Sequence, residues 1–262
     1  MSRRPFRAVH TSDVHLGAFE GSDGHQRERR ALMEAAFRNV VSLGNESSAE
    51  VLLIAGDFFD NDRISEATVE FAVETLRAFE GQVVLVPGNH DPMDEGSVYW
   101  RYDWEALVPR LHLFREQYGS MVHLDDPGVT LWGRAFLTND WHFRPLEGLP
   151  VVEPDRWRIA MAHGHHHHDG EDMYRSLPIA ASELQAAAPN WDYVALGHWE
   201  PHADVSVEGL HVVYSGAPLA LSDANRKAGW ASVVDFSEDG VSWRLEPVDP
   251  RRREAADAAG GQ

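Results

Sequence analysis

The 262-residue chain contains no cysteine, which excludes disulfides, thiolate metal sites and a cysteine nucleophile. It has one lysine, Lys227, among 23 basic residues. Long apolar runs are also missing. Val51–Ala55 and Val83–Val86 are strand-sized, whereas a membrane-spanning helix needs about 20 apolar residues, so no membrane crossing is expected. No apolar stretch follows the basic start Met1–Arg7, so no secretory signal is read and a cytoplasmic location is expected. Positive charge is scarce overall, with 42 acidic residues giving a net charge of −19. Such a field repels polyanions at long range and argues against avid, non-specific nucleic-acid binding. A nuclease stays compatible with it, because a metal site supplies positive charge locally.

What is plentiful is apolar side chain and histidine. A hydrophobic fraction of 43%, with 9 Trp and 11 Phe, is enough for a large core. Fifteen histidines matter because His is both the commonest metal ligand and the usual acid–base residue.

Phe6–Ser12 reads as a first strand, followed by a helix with Met33, Phe37, Val40 and Val41 on one face. Val51–Ala55 reads as a buried strand, Ser65 as the start of a helix with Val69, Ala72, Val73 and Leu76 buried, and Gln82–Val86 as a third strand. That alternation predicts an α/β sheet with crossover helices. The second half reads as strands at Met121–Leu124, Val129–Gly133, Trp157–Ala162, Tyr193–Leu196, Val205–Val207, His211–Tyr214, Ala231–Phe236 and Val241–Leu245, with one helix at Ile179–Ala188. A single domain over residues 1–249 and a disordered tail over 250–262 are expected.

Ligand-type residues gather where the apolar runs end. Asp13 and His15 follow the first strand, Asp57 and Asp60 the second, and Asn89, His90 and Asp91 the third. His163 and His165 follow Arg158–Ala162, and His198, Glu200 and His202 follow Tyr193–Leu196. Ligands bind at the carboxyl ends of strands in such sheets. These groups offer more donors than one ion needs, and mixed carboxylate and imidazole suits Mn²⁺, Fe or Zn²⁺. The arrangement reads as a two-metal centre, whose ions, about 3.5–4 Å apart, clamp a phosphoryl group.

In order and spacing, Asp-x-His, Gly-Asp-x-x-Asp, Gly-Asn-His-Asp, the later His163 and Gly197-His198 resemble the motifs of calcineurin-like metallophosphoesterases. Thr11–Gly17 and Tyr214–Leu219 are similar to stretches of the SbcD-type DNA exonuclease branch, so the resemblance covers about residues 6–222. It implies a four-layer α/β/β/α sandwich with two mixed sheets. It also implies two divalent ions, with Asp57 bridging both, Asp13 and His15 serving the first, and Asn89, His163 and His198 the second. His90 would be the general acid or a transition-state stabiliser, with Asp91 orienting its ring, and a metal-bound hydroxide would attack phosphorus.

One position departs from the family pattern. Glu200 stands where the family has a second His, so Glu200 is expected to complete the first site, with His202 as the alternative. A carboxylate there favours Mn²⁺. The expected activity is phosphodiester hydrolysis on DNA, including single strands, or on oligonucleotides, and the nuclease branch brings an SbcC-like ATPase partner. That branch also carries a capping domain and partner-binding helices beyond the catalytic core, so a stand-alone phosphodiesterase on nucleotides or another small diester is the alternative. A weakly active metal-binding partner subunit is a second alternative.

Other polar and aromatic residues read more plainly. Asp60 is expected to brace its loop, His165 to approach the second metal or the substrate, and His166–His168 to form an exposed loop. Trp100 and Trp104 are expected in the core or a pocket wall, Trp141 is a candidate for stacking on the substrate, and Trp199 for lining the pocket.

Overall fold

The computed structural model describes residues 3–138, 140, 142–170, 177–222 and 225–260, with side chains as far as residue 255 in the last stretch. The first half runs β1 (Phe6–Thr11), α1 (Gly24–Glu46), β2 (Val51–Ala55), α2 (Glu66–Arg77), β3 (Gln82–Val86), α3 (Val98–Arg101), α4 (Trp104–Leu107) and β4 (Leu111–Leu113). β1 to β4 pair in parallel. Parallel pairing needs crossovers, and each crossover helix starts on a side-chain cap. The Asp23 carboxylate accepts from Gln26 N at 3.0 Å, and the Ser65 hydroxyl accepts from Thr68 N at 3.3 Å. The apolar stripes of both helices, including Phe37, Val40, Val69 and Leu76, cover Val9, Leu52, Ile54 and Leu85.

The second half runs β5 (Ser120–Leu124), β6 (Val129–Gly133), β7 (Trp157–His163), β8 (His165–His167), β9 (Pro178–Ala180), α5 (Ala181–Ala187), β10 (Tyr193–Gly197), β11 (Ala203–Asp204), β12 (His211–Tyr214), β13 (Trp230–Ser237), β14 (Gly240–Pro247) and α6 (Pro250–Gly260). The sheets are ordered β14-β13-β1-β2-β3-β4 and β11-β12-β10-β7-β6-β5. Both mix parallel and antiparallel pairs, as expected. Strand side chains alternate between faces, and in β2 that splits the core. Leu52 and Ile54 meet the helices, while Leu53 and Ala55 meet Ile159, Met161 and Ala195 of the facing sheet. Leu184 and Trp191 cover the far side of the second sheet. The layers are therefore α/β/β/α. Each large core side chain contributes about 1.5–3 kcal/mol by leaving water.

Three local expectations are corrected. Pro178–Ala180 pairs with His165–His167 as a parallel ribbon, so the helix expected from Ile179 starts at Ala181. The Asp204 carboxylate accepts from Ser206 N at 3.0 Å and from the Ser206 hydroxyl. The chain turns there, and a two-residue β11 replaces a strand at Val205–Val207. The tail expected from residue 250 forms α6, because Arg252 Nε donates to Ala228 O at 2.8 Å and its guanidinium lies 5.0 Å from the centre of the Trp230 ring.

Candidate metal centre

The loops after β1 and β2 run side by side, with Asp13 N donating to Gly56 O and His15 N to Asp57 O, each at 3.0 Å. Asp13 (φ 53°), His15 (φ 53°), Asp57 (φ 49°) and His198 (φ 102°) all take positive φ. That region is disfavoured for residues bearing a Cβ, and its recurrence marks strain held at a functional site. Two glycines make the convergence fit. A Cβ on Gly56 would lie 2.1 Å from His163 Nδ1, and one on Gly88 2.1 Å from Asp57 Oδ1.

Side chains from five strand ends meet in this space. Ligand atoms of Asp13, His15 and Asp57 lie within 4.8 Å of one another, and all three residues are buried. Asp57 Oδ2 is 3.8 Å from His15 Nε2 and 3.2 Å from His163 Nε2. Asn89 Oδ1 lies 3.1 Å from His163 Nε2 and 3.0 Å from His198 Nδ1. The Asp13 carboxylate accepts from His198 N at 3.0 Å. Sequence reading placed all six residues together, and the structure brings them there.

This donor set fits a cation. His163 Nδ1 donates to Ala55 O at 2.9 Å, which leaves Nε2 facing the oxygens of Asp57 and Asn89. Unless a proton or a metal ion lies between them, only acceptors meet there. The field confirms the demand: burial opposes a charge on His163, but Asp57 and Asp13 outweigh it and push its pKa up to about 9. Burial also opposes a charge on Asp57, yet His163 holds that carboxylate well below its usual range. Asp13 is pushed up by burial and by Asp57, and His198 down to about 3 by burial and by His163. A divalent ion would take the place of the proton drawn onto His163.

The sequence pattern of the calcineurin-like phosphoesterases matches residues 6–200. The chain belongs to that family. The family typically binds two divalent ions, and the buried Asp/His cluster provides for them. Distant relatives span most of this metallophosphoesterase. The DNA double-strand break repair protein Mre11 of Haloferax volcanii is 25% identical over 94% of this chain and 53% of its own length. The SbcD component of the nuclease SbcCD of Escherichia coli K12 is 24% identical over 93% of this chain and 67% of its own. The chain thus spans about half the length of the archaeal relatives it matches. A dimetal phosphatase from Danio rerio shares the fold, with a TM-score of 0.59 at 11% identity over 93% of this chain and 96% of that one.

At the rim of the metallophosphoesterase centre, His90 N donates to Asp57 Oδ1 at 2.8 Å, and the ring stands 4.7 Å from that of His15. The ring is held by Asp60, not by Asp91 as expected: His90 Nδ1 donates to Asp60 O at 3.0 Å. The Asp91 carboxylate is instead fully buried, accepting from Phe58 N, Phe59 N, Gly88 N and the Tyr99 hydroxyl at 2.6–3.0 Å. It stitches the loops after β2 and β3 together. Asp60 Oδ1 also lies 3.3 Å from His15 Nδ1, which turns His15 Nε2 toward Asp57. Sequence reading assigned Asp60 only a bracing role. Its place as the second Asp of the Gly-Asp-x-x-Asp motif was the available signal.

Glu200 is the clearest departure. Glu200 Oε1 accepts from Leu221 N at 2.7 Å and Oε2 accepts from Asn225 Nδ2. The carboxylate is committed to Leu221 and Asn225 and joins neither His/Asp cluster among the described residues. His202 lies with its ring 4.9 Å from that of Trp243, on the inter-sheet side, and burial lowers its pKa.

His165 does come close, with its ring 6.4 Å from that of His198, and its Nδ1 accepts from Trp199 Nε1 at 2.9 Å. The Trp199 ring in turn stacks on Tyr214 at 5.2 Å. The exposed loop expected at His166–His168 is in part β8, with His167 buried. Trp104 is in the core, but Trp100 is 55% exposed. Trp141 lies outside the described residues.

Proposed function

We propose that this metallophosphoesterase is a phosphodiesterase acting on DNA or oligonucleotides, working with two divalent ions drawn from Mn²⁺, Fe and Zn²⁺. The observation that carries the reading is the buried set of acceptors around Asp57, with His90 standing half-exposed beside it. Asp57, placed between His15 and His163, would bridge the ions. Asp13 and His15 would hold one, and Asn89, His163 and His198 the other. Oxygen and imidazole donors without thiolate suit Mn²⁺, Fe or Zn²⁺, and with Glu200 bound elsewhere its carboxylate no longer tips that choice. When bound, such ions polarise phosphoryl oxygens and lower the pKa of water enough to supply a nucleophile at neutral pH.

The chain's own residues supply position and a proton. As a P–O bond to water forms and the bond to the leaving oxygen breaks, that oxygen needs a proton. His90 is built to hold it: Nδ1–H is fixed on the Asp60 carbonyl, so the exchangeable proton sits at Nε2. The preference for nucleic acid draws on the relatives named for DNA repair and for nuclease action, and an SbcC-type ATPase is the partner that this reading carries with it.

The test is cleavage of an end-labelled single-stranded oligonucleotide by Mn²⁺-loaded protein. Cleavage that falls by about 10²–10⁴-fold in His90→Ala, with metal content retained, is the expected result. An intact oligonucleotide alongside rapid hydrolysis of a small diester would move the substrate to nucleotides. Near-stoichiometric metal without turnover on any diester would make the chain a metal-binding subunit.

A further inference from the structure

We infer that the arginine-lined cleft between residues 225–228 and the first turn of α6 binds a phosphodiester backbone. The inference rests on the proposed phosphodiesterase reading and deepens it, because it makes the substrate a polymer that extends beyond the reacting phosphate.

The charge distribution is the first observation. A chain of net charge −19 places five of its 23 basic residues at just two places, 226–227 and 251–253. The fold brings these together: Arg252 spans the gap, donating through Nε to Ala228 O at 2.8 Å and through Nη2 to Arg226 O. A cleft of about 580 Å³ opens there, lined by Asn225, Arg226, Asp249, Arg251 and Arg252 among others.

The balance within the cleft is positive. Arg251 is matched by Asp249 at 2.8 Å, and Arg253 reaches Glu46 at 3.6 Å. Arg252 meets only carbonyls and the Trp230 ring, so no carboxylate among the described residues neutralises it. Arg226 and Lys227 are exposed and have no side-chain partner among the described residues. Arg226 and Arg252 in the cleft wall, with Lys227 next to it in sequence, are thus three cations without a carboxylate partner among the described residues, on a molecule whose overall field repels anions. Guanidinium forks suit phosphate oxygens, which they bind in pairs, and several separated cations suit a chain of phosphates better than one isolated anion.

The second observation is continuity with the metal centre. Glu200 follows His198 by two residues, and its carboxylate holds Leu221 N and Asn225 Nδ2. Asn225 lines the cleft. The loop that carries His198 is thus fastened to the wall of the cleft. His10 pairs with Ser232 and Trp230 with Pro247, so the cleft walls at Ala228 and Asp249 lie beyond the same end of β1 as Asp13, and a strand whose scissile phosphate lies at the Asp/His cluster would meet the arginines along that edge. The Glu200 carboxylate, expected as a ligand, serves here to hold this wall in place.

The test is binding of a labelled, cleavage-resistant phosphorothioate oligothymidylate to Mn²⁺-loaded protein, followed by fluorescence anisotropy across a salt series. Removing one cation from a phosphate costs roughly threefold in affinity at moderate salt, so Arg226→Ala with Lys227→Ala should bind about tenfold more weakly. The log–log salt slope should fall by about 1.4, and Arg226→Lys should keep it. Both positions are exposed, so the variants are expected to fold, which an unchanged thermal transition verifies. Unchanged affinity and slope in the double variant, or no oligonucleotide binding by the wild type, would overturn the cleft. Cleavage of the ordinary oligonucleotide is read separately. Arginine-dependent binding without cleavage keeps the cleft and sinks the nuclease reading, whereas cleavage with arginine-independent binding does the reverse.

Discussion

The strand ends that form the metal centre obey one rule, and the loop that carries Glu200 and His202 beyond them obeys another. Asp13, His15, Asp57 and Asn89 come from the ends of β1, β2 and β3, parallel neighbours in one sheet. There each ligand position follows from a local event. An apolar strand ends, the backbone turns, at Asp13, His15 and Asp57 through positive φ, and the side chain is thrown back over the sheet edge. His163 and His198 end strands β7 and β10 of the facing sheet in the same way. Beyond those strand ends the second half changes character. Glu200 and His202 lie on a loop whose side chains are directed by partners far along the chain, Leu221 and Asn225 for one and Trp243 for the other. Position at a strand end decides what a residue does in the first case, and long-range partnership decides it in the second.

The largest expected effect tests the shared hinge of the two halves. Asp57 touches His15, His90 N and His163, so Asp57→Asn removes the one carboxylate common to both. Diester hydrolysis should fall by more than about 10³-fold, beyond the middle of the range for losing a single acid–base group. Metal content measured on the purified variant should fall with it. Full metal occupancy in this variant would break the claim that the halves meet at Asp57.

Next in size is the support of the first half. The Asp60 carbonyl holds His90 and its carboxylate faces His15 Nδ1 at 3.3 Å, so the Asp60 side chain is a positioning group for His15. Asp60→Asn is expected to reduce metal affinity or turnover by about 10–100-fold, as for other groups that orient metal-ligating histidines. A buffer-dependent partial rescue of turnover by exogenous imidazole in His90→Ala, absent in Asp60→Asn, would separate the proton carrier from the group that orients His15. By contrast Asp91→Asn should show itself first as lost stability, because it loosens a buried carboxylate that serves four donors.

How much of this was legible follows the same division. The strands Val51–Ala55, Gln82–Val86, Val129–Gly133 and His211–Tyr214 stand where the apolar runs put them, since a buried parallel strand has nothing but apolar residues to offer. The six strand-end ligands were legible for the same reason. The role that the family resemblance implied for Asp91 fails here because its carboxylate is taken up by Phe58 N, Phe59 N, Gly88 N and the Tyr99 hydroxyl, partners that nothing in the sequence points to. Glu200 was misread because a motif position says where a residue starts, not which loop its carboxylate meets. The ribbon β8–β9 left no periodic signal in a run of four histidines.

The electrostatics of the second half become measurable on metal-free protein. The folded-state pKa of His163 is raised to about 9 from 6.5, so the folded chain binds the extra proton between those values. Its contribution to stability is therefore fully present below pH 6.5 and is lost as pH rises through about 9. His198 has the opposite sign: lowered to about 3, it costs stability as pH falls from 6.5 towards 3. The melting temperature of the metal-free protein should fall between pH 6.5 and 9, and Asp57→Asn should flatten that slope. A slope unchanged by Asp57→Asn would detach His163 from the cluster.

The smallest expected effect is the most discriminating for the comparison. If Glu200 were a ligand in the manner of the strand-end residues, Glu200→Gln would strip an ion and most of the activity. In this structure the carboxylate accepts from Leu221 N and from Asn225 Nδ2. Glutamine can keep the first bond through its carbonyl oxygen, but its amide nitrogen then faces another donor. One hydrogen bond is lost, a cost of about 1 kcal/mol, seen as a melting point lower by a few degrees with metal content unchanged. His202→Gln should likewise leave metal content alone, since its ring packs against Trp243. Loss of metal in Glu200→Gln alone would return that residue to the strand-end rule and would require its carboxylate to swing away from Leu221 and Asn225.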